Sequence, residues 1–83
     1  MKVGYTATAL AHLDSLPHDA RERILTKVHF YARQENPLKF AEHLTGYDAY
    51  RFRVGIYRVM FEVRNDELFV LRIKKRDKAY GDL

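Results

Sequence analysis

The sequence contains no cysteine, which excludes a disulfide scaffold and a thiolate metal site. This absence fits a reducing compartment, and we expect a cytoplasmic protein. No segment approaches the roughly 18 consecutive apolar residues of a membrane-spanning helix, so we expect no membrane partner. The first residues include Asp14 and no small-residue cleavage pattern. We interpret them as part of the fold and not as a signal peptide.

The common site motifs are also missing. The sequence has no glycine-rich phosphate loop, no HExxH motif and no pair of carboxylates at a catalytic spacing. Its four histidines lie in the predicted helical half or in the connection after it, where surface or capping roles are typical. They are His12, His18, His29 and His43. We therefore expect no metal site and no cofactor.

What the sequence does have is an uneven distribution of positive charge. Its 83 residues, 47% of them hydrophobic, predict one globular domain over residues 1–83, without a repeat or a linker. The formal net charge is only +4, and residues 1–46 are nearly balanced. Eight of the fifteen cations fall within residues 51–58 and 72–78. Such a concentration indicates an anionic partner.

The pattern of apolar and breaker residues predicts an α+β fold. Pro17 separates two helices, and Asn36-Pro37 opens a connection that closes near Gly46. Three strands joined by short turns then form an antiparallel meander. The predicted strands are 2–6, 49–54, 57–64 and 68–75, and the predicted helices are 8–16 and 19–34. We expect a small antiparallel sheet in the order β-α-α-β-β-β, with the two-helix hairpin packed on one face and the other face open.

Turn chemistry predicts the register of the last three strands. Gly55-Ile56 suits a type II′ turn, and residues 65–67 suit a three-residue loop. This register places Arg53, Arg58 and Lys74 side by side on the open face. The predicted core face holds Tyr50, Phe52, Val54, Tyr57, Val59, Phe61, Val63, Phe69, Leu71 and Ile73. The predicted open face holds Arg51, Arg53, Arg58, Met60, Glu62, Val70, Arg72, Lys74 and Arg76.

A cluster of cations on an open sheet needs a reason, because like charges opposite one another destabilise a sheet. An anion bound at the cluster would supply it, since the planar guanidinium of arginine matches the oxygens of a phosphate. The alternative is that exposed strands carry Lys and Arg simply to prevent edge pairing. Glu62, the one acid predicted on this face, would neutralise its arginine neighbours or act in catalysis.

These residue types suit the cleavage of RNA through its own 2′-OH. The reaction needs a base, cations that stabilise the pentavalent phosphate, a proton donor for the 5′ oxygen and an in-line geometry. Arg and Lys supply the cations, and a lysine whose pKa is lowered by neighbouring cations could supply the base. Tyr80, close in sequence to Arg76, could stack a nucleobase, bind a phosphate or simply pack.

Two stretches, YRFRVGIYRVMFEV (residues 50–63) and KKRDKAY (residues 74–80), resemble the RelE/ParE superfamily of bacterial and archaeal toxins from toxin–antitoxin operons. The resemblance extends over essentially the whole chain and implies the same sheet with helices on one face. Its RelE-like members imply an mRNA endonuclease that cuts on the ribosome without a metal and leaves a cyclic phosphate. The resemblance also implies three partners, a cognate antitoxin, the ribosome and mRNA, and a toxin–antitoxin hetero-oligomer.

The resemblance implies roles for particular residues. Arg51 and Arg53 match a pair of basic strand residues, and Arg58 matches a phosphate contact. Arg76 matches an arginine that stabilises the transition state, and Tyr80 a tyrosine that stacks on or orients the substrate. The predicted catalytic residues are Arg51, Arg53, Arg58, Arg76 and Tyr80, and the predicted RNA- or phosphate-binding residues are Arg72, Lys74, Lys75 and Lys78.

The chain also departs from the pattern of that superfamily. Lys75 stands where many members have histidine, and Arg51 and Arg53 replace the lysines of some members. Because arginine is a poorer base than lysine, the general base is left open. The chain stops three residues after Tyr80, so we expect no C-terminal helix.

Two alternatives to the nuclease stay open. One is a ParE-like protein that inhibits DNA gyrase without being an enzyme, and the other binds RNA and antitoxin but cuts nothing. The late basic residues with Tyr80 favour the nuclease, since ParE-type chains generally lack that ending. The fold alone does not decide between the three.

Overall fold

The computed structural model describes residues 1–76. Within them, the chain forms five strands, two α-helices and a short 3₁₀ helix. In chain order these are β1 (Lys2–Tyr5), α1 (Ala7–Asp14), α2 (His18–Ala32), the 3₁₀ helix (Pro37–Phe40), β2 (Glu42–His43), β3 (Tyr50–Val54), β4 (Tyr57–Arg64) and β5 (Glu67–Lys75). No helix in this range is long and apolar enough to cross a membrane.

The strands form one sheet in the order β1-β5-β4-β3-β2, and the predicted α+β fold is confirmed. Two details differ from the expectation. The strand β2 lies within the segment predicted as a connection, and β1 pairs with β5 in parallel, so the sheet is mixed. A parallel pair needs a long crossover, and here both helices and three strands separate β1 from β5 in sequence.

The helices begin and end where the sequence provides caps and breaks. The Thr6 hydroxyl accepts a hydrogen bond from the Ala9 amide at 3.0 Å and caps α1. Pro17 separates α1 from α2, as predicted. The apolar stripe of α2 is buried at Ile24, Val28 and Ala32 and packs on the sheet. This packing leaves the opposite face of the sheet without a helix among the described residues.

The core beneath the helices contains stacked aromatic rings. The rings of Phe52 on β3 and Phe61 on β4 stack with their centroids 4.3 Å apart, and both side chains are fully buried. The Tyr31 ring of α2 lies 4.5 Å from the Phe52 ring and joins the helix layer to the sheet. Because adjacent residues of a strand point to opposite faces, burying Phe52 turns Arg51 and Arg53 outward.

The predicted register of β3 and β4 is confirmed. Arg53 pairs with Arg58, and Val54 pairs with Tyr57 across the turn. Gly55 has a φ of +60°, whereas Ile56 is not among the non-glycine residues with positive φ. This combination is typical of the predicted type II′ turn, in which the first central residue needs the left-handed region.

The predicted register of β4 and β5 is correct at the far end of the strands and wrong near the turn. Arg58 pairs with Lys74 and Met60 with Arg72, as predicted. The turn is a two-residue one, however, because Asn65 (φ 49°) and Asp66 (φ 64°) both adopt the left-handed conformation. Arg64 therefore pairs with Glu67 and not with Leu68.

A β-bulge in β5 accounts for the change of register between the two ends of the strand. Opposite Met60 and Phe61, β5 advances from Arg72 directly to Val70, so Leu71 is the extra residue. Leu68 and Val70 are consequently fully buried. The predictions that Phe69 and Leu71 face the core and that Val70 faces outward were wrong, because one inserted residue reverses the alternation of a strand.

The helix α1 also supplies hydrogen bonds to the edge of β5 beyond the end of β1. The Thr6 hydroxyl donates to the Leu71 carbonyl at 2.7 Å, and the Thr6 amide donates to the Val70 carbonyl at 3.0 Å. Further along, the Ile73 amide donates to Nδ1 of His12 at 3.0 Å. His12 therefore satisfies a backbone group of the sheet, a role that its position on a helix did not reveal.

Candidate nucleic-acid interface

The face of the sheet opposite the helices carries two rows of side chains across the strands. Arg53, Arg58 and Lys74 are direct neighbours on β3, β4 and β5. In the next row Arg51 and Arg72 flank Met60. With strands about 4.8 Å apart, the three cations of the first row start from backbone positions within about 10 Å. We use the term basic face for Arg51, Arg53, Arg58, Arg72, Lys74 and Arg76.

The β3–β4 turn brings Arg76 to this face. The Arg76 amide, just beyond the end of β5, donates a hydrogen bond to the carbonyl of Ile56 in the turn. Arg53, Arg58 and Arg76 then line one small pocket of about 60 Å³. Three of the four arginines predicted to be catalytic therefore lie around a single turn.

A further arginine lies at the same turn and was missed in the sequence. A Cβ atom built on Gly55 would come within 3.2 Å of Nη1 of Arg23, a residue of α2. Gly55 therefore provides both the left-handed turn and room for this guanidinium. Helical periodicity placed Arg23 away from the apolar stripe but gave no signal that it would reach the sheet.

Glu42 is a second residue at the basic face that the sequence did not predict, and it matters more than Arg23. On β2 it pairs with Arg51, and its carboxylate accepts hydrogen bonds from Nε of Arg51 at 2.8 Å and Nε of Arg53 at 3.0 Å. These bonds, first from Arg51 and then from Arg53, hold the pKa of the Glu42 carboxyl below its ordinary value. A carboxylate of the chain itself thus occupies the arginine pair that a phosphate would use.

Glu62, the acid predicted to lie among the arginines, has a different partner. It forms an ion pair with Arg64 on its own strand and lies opposite Phe69 of β5. Glu62 is therefore paired with a neighbouring arginine that lies outside the basic face. Residues 1–76 contain no group of three or more His, Asp or Glu side chains placed to share a metal ion.

Comparison with protein families identifies the chain. A family model described as the ParE toxin of the type II toxin–antitoxin system parDE matches residues 3–80. The chain belongs to this family, within the RelE/ParE superfamily of toxins. A search of curated protein sequences finds no match.

Solved structures similar to the toxin include RelE and ParE proteins. A RelE–RelB complex from Pyrococcus horikoshii OT3 is 29% identical, with a TM-score of 0.73 over 94% of this chain and 97% of that chain. The RelB–RelE complex of Methanococcus jannaschii is 24% identical, with a TM-score of 0.73 over 96% and 98%. A chromosomal ParDE system of Pseudomonas aeruginosa is 19% identical, with a TM-score of 0.77 over 93% and 97%. In the first two of these structures, the RelE toxin is in complex with RelB.

The structure does not place the other predicted site residues of the toxin, Lys75, Lys78 and Tyr80, on the basic face. Lys75 pairs with Tyr57, whose side chain is buried on the helix side of the sheet. The alternation of the strand therefore directs Lys75 away from Lys74 and the basic face. Lys78 and Tyr80 lie outside the described residues.

A cleft of about 350 Å³ opens beside the two rows of the basic face. Its lining combines apolar side chains, the exposed ring of Tyr47 and two cations of the toxin. The lining residues are Leu44, Tyr47, Ala49, Met60, Leu71, Arg72 and Lys74. Leu71 lines this cleft because the bulge releases it from the core face.

Proposed function

We propose that the toxin is a ribosome-dependent mRNA endonuclease that cleaves RNA without a metal through attack of the 2′-OH. The observation that carries the proposal is the row of Arg53, Arg58 and Lys74 on an open sheet face, extended by Arg76 at the β3–β4 turn. A pentavalent phosphate carries more negative charge than the phosphodiester. Fixed cationic donors therefore stabilise this transition state more than the bound substrate.

The proton transfers of the reaction determine which residue of this row can act as the base. An arginine stays protonated in proteins, so it can bind the phosphate but cannot take up the 2′-OH proton. Lys74 is the one lysine of the described basic face, and it lies directly opposite Arg58. We assign Lys74 as the candidate base and the arginines as phosphate ligands. The predicted contribution of Tyr80 belongs to the same proposal.

The proposed activity implies the other partners of the toxin and its location in the cell. mRNA and the ribosome are the substrate and its carrier, and the cytoplasm is where both are found. An antitoxin would silence the toxin by covering the basic face or by moving its arginines. We further propose that residues 1–83 act as a single domain, without a cofactor.

A second candidate function is inhibition of DNA gyrase without catalysis. The observation that favours it is the family model itself, which is described as a ParE toxin. An open cationic face would serve this function as a binding surface, so the two candidates need an experiment.

The deciding experiment maps mRNA 5′ ends by primer extension in a reconstituted translation reaction. Wild type, Arg58→Ala and Arg76→Ala are compared, with Arg33→Ala as the matched control because Arg33 is exposed at the end of α2. We expect cuts within codons that require ribosomes, persist in the control and fall by at least about a hundredfold in both variants.

Other results would contradict the nuclease. Growth arrest without any mRNA cuts would favour gyrase, which a supercoiling assay would then test. Neither cuts nor growth arrest would indicate a member that binds RNA and antitoxin without cleaving.

A further inference from the structure

The cleft beside the basic face has features that phosphate binding does not require. Met60 and Leu71 contribute apolar surface from the sheet, and Leu44 and Ala49 contribute it from the loop before β3. Arg72 and Lys74 are the charged groups of its lining. The volume of about 350 Å³ lies within the usual range of small-molecule sites. A phosphate alone would leave this apolar surface uncovered.

Tyr47 lines the cleft from a loop that backbone hydrogen bonds close. The Leu44 amide donates to the Ala49 carbonyl at 2.9 Å, and the Tyr47 amide donates to the Leu44 carbonyl at 3.2 Å. Gly46 permits this turn with a φ of +81°. Tyr47 nevertheless stays 71% exposed, the largest exposure among the large hydrophobic side chains of the described residues. The loop therefore fixes the backbone of Tyr47 beside the cleft, while the ring stays uncovered.

We propose that this cleft binds one nucleobase of the RNA strand whose phosphates lie on the basic face, with the base stacked on Tyr47. The proposal rests on the proposed function and adds a base subsite to it. Sites for single-stranded nucleic acid combine a cationic track with aromatic rings on which bases stack. Met60 joins the two parts here, because it lines the cleft and lies between Arg51 and Arg72 in the second row.

Charge favours a nucleotide over an apolar side chain of a protein as the occupant. An apolar side chain would cover Met60 and Leu71 but would leave Arg72 and Lys74 at the same cleft without an anion. A nucleotide brings a flat apolar base and a phosphate within one residue of the strand. It therefore complements both parts of the lining.

Base binding can be tested by NMR through the methyl group of Met60, because Met1 and Met60 are the only methionines of the chain. We would label the methionine methyl groups with ¹³C and titrate adenosine 5′-monophosphate and ribose 5-phosphate. The second probe has the sugar and phosphate but no base. We expect an upfield ring-current shift of the Met60 methyl signal with the nucleotide only. The Met1 signal is the internal control, since its amino group bonds the Ala32 carbonyl of α2.

Variants then separate the base subsite from phosphate binding. Tyr47→Ala should weaken the nucleotide by about 5- to 150-fold and leave ribose 5-phosphate unchanged, whereas Tyr47→Phe should bind as wild type does. Phe30→Ala is the matched control, because Phe30 is 47% exposed on α2, in the helix layer. Arg72→Ala should weaken both probes.

Three results would overturn the proposal in distinguishable ways. Equal affinity for the two probes would remove the base subsite while leaving the phosphate face intact, and would leave the cleft to an apolar side chain of a protein partner. An unchanged nucleotide affinity in Tyr47→Ala would do the same. Failure of both probes to bind would remove the phosphate face, and with it both this proposal and the proposed function.

Discussion

At the scale of single residues, the basic face is less free than its sequence suggests. Arg51 and Arg53 both donate to the carboxylate of Glu42, which lies on the two-residue strand β2. The arginines are thereby held close together, but part of their hydrogen-bonding capacity is used. Any phosphate that binds this pair must share it with Glu42 or displace the carboxylate.

We therefore expect Glu42→Gln to strengthen the binding of ribose 5-phosphate by about two- to fivefold, since exposed ion pairs are weak. Glu22→Gln is the matched control, because it removes the same charge from an exposed position on α2. Calorimetric titration of both variants measures the effect. Equal gains in the two variants would mean that only the net charge matters and that Glu42 does not compete.

The pH dependence of this effect has a definite sign. The pKa of the Glu42 carboxyl is lowered by Arg51 and Arg53, so its ion pairs persist as pH falls below the ordinary range of a glutamate. They are lost only as the pH falls through the lowered pKa. The affinity of the wild-type toxin for the phosphate should then rise towards that of Glu42→Gln measured at the same pH, a comparison from which the ionisation of the phosphate itself cancels.

At the scale of elements, the strands that form the basic face could be predicted from the sequence. The pairing of residues across these strands could be predicted only in part. Gly55 defined the β3–β4 turn, and this turn placed Arg53 beside Arg58. The run Leu68–Leu71 is apolar at every position, so it carries no alternation from which a bulge could be inferred. The strand β2 has only two residues, Glu42 and His43, and no apolar pattern at all.

The candidate site, too, could be predicted only in part from the sequence. The cationic row followed from strand alternation, because both turns are short. The positions of Glu42 and Tyr47 beside this face, and of Arg23 at the β3–β4 turn, could not be predicted, because each residue lies on an element whose position depends on packing. Local sequence carries no information on such distant contacts.

The contact between α1 and β5 leads to a prediction for stability. His12→Ala would leave the part-buried amide of Ile73 without its acceptor, which should lower the free energy of unfolding by about 1–3 kcal/mol. His18→Ala is the matched control, because the His18 side chain is 73% exposed. It should change stability by less than about 0.5 kcal/mol.

Urea denaturation of the two variants measures both effects. A loss of equal size in His12→Ala and His18→Ala would show that the bond to β5 does not decide the outcome, since alanine favours a helix more than histidine does. An unchanged stability in His12→Ala would show that water replaces the imidazole at no cost.

At the scale of the whole molecule, the toxin separates its charge from its packing. One face of the sheet carries the helices and the buried aromatic rings, and the other carries the cations of the basic face. The formal net charge of +4 understates this asymmetry. Electrostatic attraction to a polyanion depends on the local arrangement of charge more than on the total.

Salt dependence measures this arrangement directly. For a single strand, the slope of log K against log salt is about −0.7 per phosphate neutralised, so four contacts on the basic face give about −3. We expect Arg72→Gln to make the slope shallower by about 0.7 and Arg33→Gln to leave it unchanged. Binding of a deoxyoligonucleotide, which lacks the attacking 2′-OH, measures the slope without cleavage. Equal slopes in all three proteins would contradict binding through the basic face.

The parallel pairing of β1 with β5 has a consequence for the time at which the toxin becomes active. Synthesis proceeds from the N-terminus, so β1 waits as an unpaired strand until residues 67–70 have left the ribosome. The last cations of the basic face, Arg72, Lys74 and Arg76, emerge later still. A chain of this topology therefore has neither a finished sheet nor a finished basic face while it is being made. The basic face of the toxin is therefore completed only when its translation is nearly finished.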